Sequence, residues 1–173
     1  MSNYSQTPYP QSTPGNFGPQ GGGAAPDKKL PIIAIAGSVI ALIGSCVNWT
    51  LAEGETGGIK GTDGDGVISL ITAILAAALF VGALLAKKGV LNIAGAVASL
   101  VTLVIGAINI ADPERLYLQK MDDEGASEAQ AKAAAKQLGL DFTAGPGSYM
   151  VAVGALAALV CGFLAFKNSR TSH

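Results

Sequence analysis

Hydrophobic positions along this chain are gathered into four uninterrupted blocks. They run from Leu30 to Leu51, Val67 to Ala86, Gly89 to Ala111 and Tyr149 to Phe166, and none contains Asp, Glu, Lys or Arg. Each block holds roughly 18 to 23 residues, which at 1.5 Å per residue reaches across a hydrocarbon core of about 30 Å. A backbone in lipid must pair its own amides and carbonyls, so blocks of this length predict α-helices. The alternation of a membrane strand is absent. The expected fold is an all-α membrane protein, an antiparallel four-helix transmembrane bundle with a disordered N-terminal tail and a small helical extracytoplasmic cap.

The polar positions divide the rest. Residues 1–29 form a tail, residues 52–66 and 112–148 form two outer loops, and residues 167–173 form a short stub. The first 26 residues carry no charge, hold five of the eight prolines and include the Gly21–Gly23 run. Such a segment cannot bury enough apolar surface to offset its ordering entropy, which predicts disorder. Tyr4, Tyr9 and Phe17 make the tail a candidate contact for a cytoplasmic partner.

Charge gives the direction. Lys28 and Lys29 precede the first block, Lys87 and Lys88 separate the second from the third, and Lys167 and Arg170 follow the fourth; only Asp27 accompanies them. The other side holds eleven acids against five bases. The positive-inside rule then predicts a multi-pass membrane protein with both termini and the Lys87–Lys88 turn in the cytoplasm. Trp49 and Tyr149 fall at the outer ends of their blocks, where amphipathic rings anchor to the interface.

The composition agrees with a lipid solvent. Of 173 residues, 50% are hydrophobic and 13% charged, about half the charge of an ordinary soluble domain. A net charge of -1 removes the basic balance expected of a nucleic-acid binder.

The loops carry a few local signals. Asp63-Gly64-Asp65-Gly66 suggests an opening calcium loop, but the twelfth position from Asp63 is Thr72 rather than the bidentate Glu that an EF-hand needs. Asp65 is expected instead to cap the second helix, with Asp63 and Asp65 left as a weak cation candidate. In the second loop, Asp112-Pro113-Glu114 reads as an N-cap followed by a first turn. Ser127-Glu128 opens an alanine-rich helix that stops at Gly139, with Lys132 four residues after Glu128. Leu138, Leu140 and Phe142 are apolar enough to fold the loop back onto the membrane or a partner.

Catalytic chemistry is not expected, and neither is a cofactor. The only histidine is His173 at the chain's end, and no block contains a titratable carboxylate or amine at mid-membrane. Cys46 and Cys161 lie at different depths and are expected to be small core residues rather than a disulfide. A rival reading makes Ile43-Gly44-Ser45-Cys46 a lipoprotein cleavage box, though the apolar stretch continues past Cys46 to Leu51.

Small residues at helical spacing are plentiful: Ala34/Ser38, Gly37/Ala41, Ala78/Gly82/Ala86, Gly95/Ser99 and Gly154/Ala158/Gly162. Such faces allow close backbone approach, the main source of helix association in lipid. The Gly154/Ala158/Gly162 face, with Gly95 and Ser99, is the expected contact with other integral membrane proteins. Asn92, Ser99, Thr102 and Asn109 fall near one helical face and form a candidate polar stripe.

Taken in order, the Pro/Gly/Gln/Tyr-rich tail, a first block ending in Trp49, the Gly61–Gly66 run, the Lys87-Lys88 turn, Asn109-Ile110 and Gly145-Pro146-Gly147-Ser148-Tyr149 form a recognisable pattern. It resembles the small tetraspan membrane proteins of actinobacteria, a family of largely unknown function. The resemblance covers roughly Lys28 to Phe166. It implies a four-helix inner-membrane protein that is not an enzyme and that serves as an accessory or scaffolding subunit of an envelope or respiratory complex. Two alternatives stand beside this: a small oligomeric channel or export component using the polar stripe, and an envelope sensor with an acidic outer loop.

Overall fold

The computed structural model describes residues 28–53 and 57–171. The expected disordered tail lies outside the described residues apart from its last two, Lys28 and Lys29. Six helices and three short strands follow in order: α1 (Lys29–Ser45), β1 (Asn48–Ala52), β2 (Gly58–Lys60), a 3-10 turn (Gly61–Asp63), α2 (Gly66–Ala86), α3 (Gly89–Ala111), α4 (Glu114–Asp123), α5 (Glu128–Leu138), β3 (Phe142–Ala144) and α6 (Pro146–Thr171).

Helices α1, α2, α3 and α6 form a ring. α6 packs along α1 and α3, and α2 bridges those two from the other side, while α1 and α3 barely touch. Three apolar clusters stack along the bundle. The first joins Ala34, Ala76, Phe80, Ala98 and Ala158. The second joins Ala41, Ala73 and Ala155. The third joins Trp49, Leu116 and Val151.

Residue sizes are distributed opposite to those of a water-soluble bundle. Alanine, glycine and serine fill the interior, while Ile71, Leu85, Val97 and Val153 are 57 to 80% exposed. A surface of this kind is stable only against an apolar solvent, because in water each bare Leu or Ile would forgo about 1.5–3 kcal/mol of burial. Three of the helices, α2, α3 and α6, are long and apolar enough to cross a membrane. The chain is a membrane protein. The fourth member of the ring, α1, has 17 residues and a length of about 25 Å.

The first apolar block is therefore not one helix from Leu30 to Leu51. α1 stops at Ser45, and Asn48–Ala52 form the central strand of a sheet ordered β2-β1-β3. β1 pairs antiparallel with both neighbours, matching Thr50 with Ile59 on one side and with Ala144 on the other. The cap is thus a three-stranded sheet with two helices, where a helical cap was expected. The stub is likewise absorbed, since α6 continues through Lys167 and Arg170 to Thr171.

Other local expectations hold or shift slightly. Ser127 accepts from Gln130 N–H while the Gln130 side chain returns to Ser127, a complete capping box for α5. Gly139 ends that helix in the left-handed region at φ 65°. Pro113, rather than Asp112, is the N-cap of α4; Asp112 closes α3 by donating its N–H to Ile108. Lys87, the C-cap of α2, also adopts a left-handed conformation.

Candidate functional site

The cap is assembled around Trp49. Its side chain is fully buried, so it is an internal pillar and not the interfacial anchor that its place in the sequence suggests. The indole Nε1–H donates to the Gly44 carbonyl oxygen at 2.9 Å. Glycines form the walls of its seat. A Cβ on Gly61 would lie 2.5 Å from the indole ring, and one on Gly147 would lie 2.7 Å from Trp49 Cδ1 and from the Gly44 oxygen. Either distance is far inside van der Waals contact, so only glycine admits the ring. The Gly61–Gly66 and Gly145–Gly147 runs that mark the chain at sequence level are thus parts of one structural device. Tyr149, the second expected anchor, is 51% exposed.

Polar contacts tie the cap together and fasten it to the bundle. Thr50 Oγ1 donates to the Pro113 carbonyl at 2.9 Å, and Glu53 N–H donates to the Asp141 carbonyl at 3.0 Å. Asp65 makes no side-chain cap to α2. Its carboxylate instead accepts from Gln119 Nε2 at 2.9 Å and from Arg115 at 3.0 Å, which clips α4 onto the start of α2. The Arg115 pairing occupies the carboxylate that a cation site would need. Asp63 is exposed on the 3-10 turn, and no group of three or more metal-ligating side chains occurs among the described residues. Tyr117 and Phe142 pack with ring centroids 4.8 Å apart.

On the flank of the cap lies an open cleft of about 640 Å³ between the α3–α4 junction, α5 and the approach to β3. Asp112, Glu114 and Asp141 line it together with Lys132 and Lys136, and Leu140 and Phe142 supply its apolar wall. Leu138 stands nearby on α5 with 69% of its surface exposed. The Glu128–Lys132 ion pair crosses one turn of α5. The hydrogen bond and charge of Lys132 hold the Glu128 carboxyl below its ordinary range, and the same contacts raise Lys132. Glu114 and Asp112 add smaller contributions in the same direction on Lys132.

The small-residue face expected to meet a partner is used internally. Gly154, Ala158 and Gly162 are all buried. A Cβ on Gly154 would lie 2.6 Å from the Gly37 oxygen, and one on Gly37 would lie 2.6 Å from the Gly154 oxygen, so α1 and α6 meet backbone to backbone. Gly162 and Gly95 flank the Phe80 ring, each leaving no room for a methyl group. Of the small-residue runs, the one on α2 stays accessible: Ala78 and Ala86 are exposed and Gly82 is half-buried.

The polar stripe is also internal. Asn92, Ser99, Thr102 and Asn109 are 1 to 6% exposed. Ser99 and Thr102 donate to the Gly95 and Ala98 carbonyls of their own helix, and Asn109 Nδ2 donates to Ile105. Thr102 also meets Thr72 across the α2–α3 contact at 2.7 Å. Ser69 Oγ, Asn92 Oδ1 and Asn109 Oδ1 are buried without a partner. The stripe therefore lines the protomer's own interior and is not a surface that copies could share around a pore. Cys161 is partly buried against the first cluster, whereas Cys46 is exposed at the end of α1 and is not a core residue.

No family model matches this sequence, no curated protein matches it, and no solved structure matches it.

Proposed function

We propose that the chain is a non-catalytic accessory or scaffolding subunit of a larger inner-membrane complex, crossing the bilayer four times with both ends in the cytoplasm. α1 is the fourth crossing in this reading, because it packs along α6 as a full member of the ring. The orientation follows from the basic residues at one end and the acidic cap at the other. The resemblance to actinobacterial tetraspan proteins points the same way.

The observation that carries the reading is the cap. A sheet and two helices are held on the bundle by the buried Trp49 and the Asp65–Arg115 clip, and they present an open cleft beside the exposed Leu138. A folded platform with an apolar side chain at its rim suits contact with another protein. Partner contact is assigned to this cap and to the accessible α2 face, since the α6 face is spent within the bundle.

Extraction in mild detergent at native expression, followed by native electrophoresis, is expected to show co-migration with a larger assembly. Leu138→Glu is expected to release the protein from it. Migration of the unaltered chain as a free monomer would overturn the proposal.

A further inference from the structure

Charge separates by end in the folded molecule. Among the described residues every Asp and Glu belongs to the cap or its junctions with the bundle. Lys28, Lys29, Lys87, Lys88, Lys167 and Arg170 gather at the opposite end, where α1 and α3 begin and α2 and α6 finish. Gly89 lies directly against Ser169, which brings the α2–α3 turn beside the end of α6.

Helix electrostatics explain only half of this collar. Lys87, Lys167 and Arg170 stand at C-terminal ends, where the macrodipole favours a cation. Lys28 is the N-cap of α1 and Lys88 is the N-cap of α3. At those positions the partial positive charge of the helix end opposes a lysine. An anion at the start of a helix is favoured by the helix end and by a lysine beside it alike. The lysines' immediate surroundings say what kind. Ile32 and Ile33 on α1, Leu85 on α2 and Val90 on α3 are 47 to 80% exposed within a turn or so of these lysines. A cationic ring at the rim of an apolar belt coincides with the headgroup layer of a bilayer.

We propose that this collar binds anionic phospholipid headgroups, with Lys28, Lys87 and Lys88 as the principal contacts. Ammonium groups on long stems reach phosphate as mobile point charges, while their methylenes stay on the apolar belt. The proposal rests on membrane embedding alone and not on the accessory role.

The test uses the full chain purified in an uncharged detergent and exposed to mixed micelles of phosphatidylglycerol and phosphatidylcholine, with retained lipid counted by native mass spectrometry. Phosphatidylglycerol is expected to be retained in several-fold excess, and added salt is expected to erode the preference. Each of K28Q, K87Q and K88Q taken singly should cut the excess, by up to about fivefold, towards equal retention. K120Q and K136Q in the cap should leave it unchanged, and inorganic phosphate should not displace the lipid. Equal retention of both lipids by the unaltered chain would overturn the proposal, as would an equal loss in the cap variants or displacement by inorganic phosphate. The unaltered chain's preference decides the matter even if a collar variant fails to fold. Co-migration with a larger assembly is read separately, so either result can stand without the other.

Discussion

Trp49 and Gly44 are joined by an indole N–H···O=C bond of 2.9 Å across the point where α1 gives way to β1. That bond gives one of the last carbonyls of α1 a second donor, beside the Val47 N–H at 3.2 Å. It also fixes where the chain leaves the bundle and enters the cap.

Filling the tryptophan seat should therefore cost stability. Gly61→Ala places a methyl group 2.5 Å from the ring and is expected to lower stability by about 1–3 kcal/mol, the usual penalty of overpacking. Thermal unfolding in detergent, followed by Trp49 fluorescence, reads the change. Gly57→Ala, where a new Cβ meets nothing within 4 Å, should stay within about 0.5 kcal/mol of the parent.

Phe80 and Gly95 should be energetically coupled. Phe80→Ala empties a fully buried site and is expected to cost about 3–5 kcal/mol. Gly95→Ala alone should also destabilise, because its methyl group would approach the Phe80 ring to 2.7 Å. In the Phe80→Ala background the same change fills vacated space, so its penalty should vanish or reverse. A double-mutant cycle on unfolding measures the coupling.

The buried hydroxyls should separate by whether they have partners. Ser69 Oγ has none, and Ser69→Ala is expected to be neutral or to stabilise by up to about 1 kcal/mol through relief of an unpaired polar group. Thr102→Val removes the contact with Thr72 and should cost about 0.6 kcal/mol, the scale of an interhelical hydrogen bond in membranes. The opposite signs are the readout.

The pH dependence of α5 follows from its ion pair. Glu128 titrates below its ordinary range because of Lys132. Its contribution is present above the pKa of an unpaired glutamate and is lost as the pH falls through the lowered value. Lys132 titrates above its ordinary range, so its contribution is full below the unpaired lysine's pKa and is lost as the pH rises through the raised value. The hydrogen-exchange protection of residues 128–138, relative to the intrinsic rate at each pH, should fall at both extremes, and Lys132→Gln should flatten the response. Both side chains are more than half exposed, so salt should weaken the effect as well.

The sequence shows the long helices best. α2 and α3 begin and end within a residue of their apolar blocks, because charge-free runs bounded by Lys87-Lys88 leave little choice of boundary. Ser127 and Gly139 mark α5 correctly, since a capping box and a left-handed stop are local chemistry. The cap's sheet is not legible in this way. β2 and β3 have three residues each, too few for a period of two to register, and their pairing with β1 is non-local. Val47–Leu51 continues the apolar composition of α1, so composition alone carries the helix six residues too far. One signal was available: glycines 44, 61 and 147 all flank the same end of the bundle and point to something bulky enclosed between them. The small-residue faces could be recognised as packing surfaces, but their partners are set by which helices adjoin, and that is a property of the ring.

The ring also orders assembly. α6 closes the ring by packing along both α1 and α3, and its glycines supply the surfaces that Gly37, Gly44 and Phe80 require. Until α6 has been made, the three earlier helices can form only an open row with its seam uncovered. Biogenesis therefore includes a closing step that waits for α6, and a nascent chain stopped short of Pro146 would present that seam to whatever insertase or quality-control protease attends it.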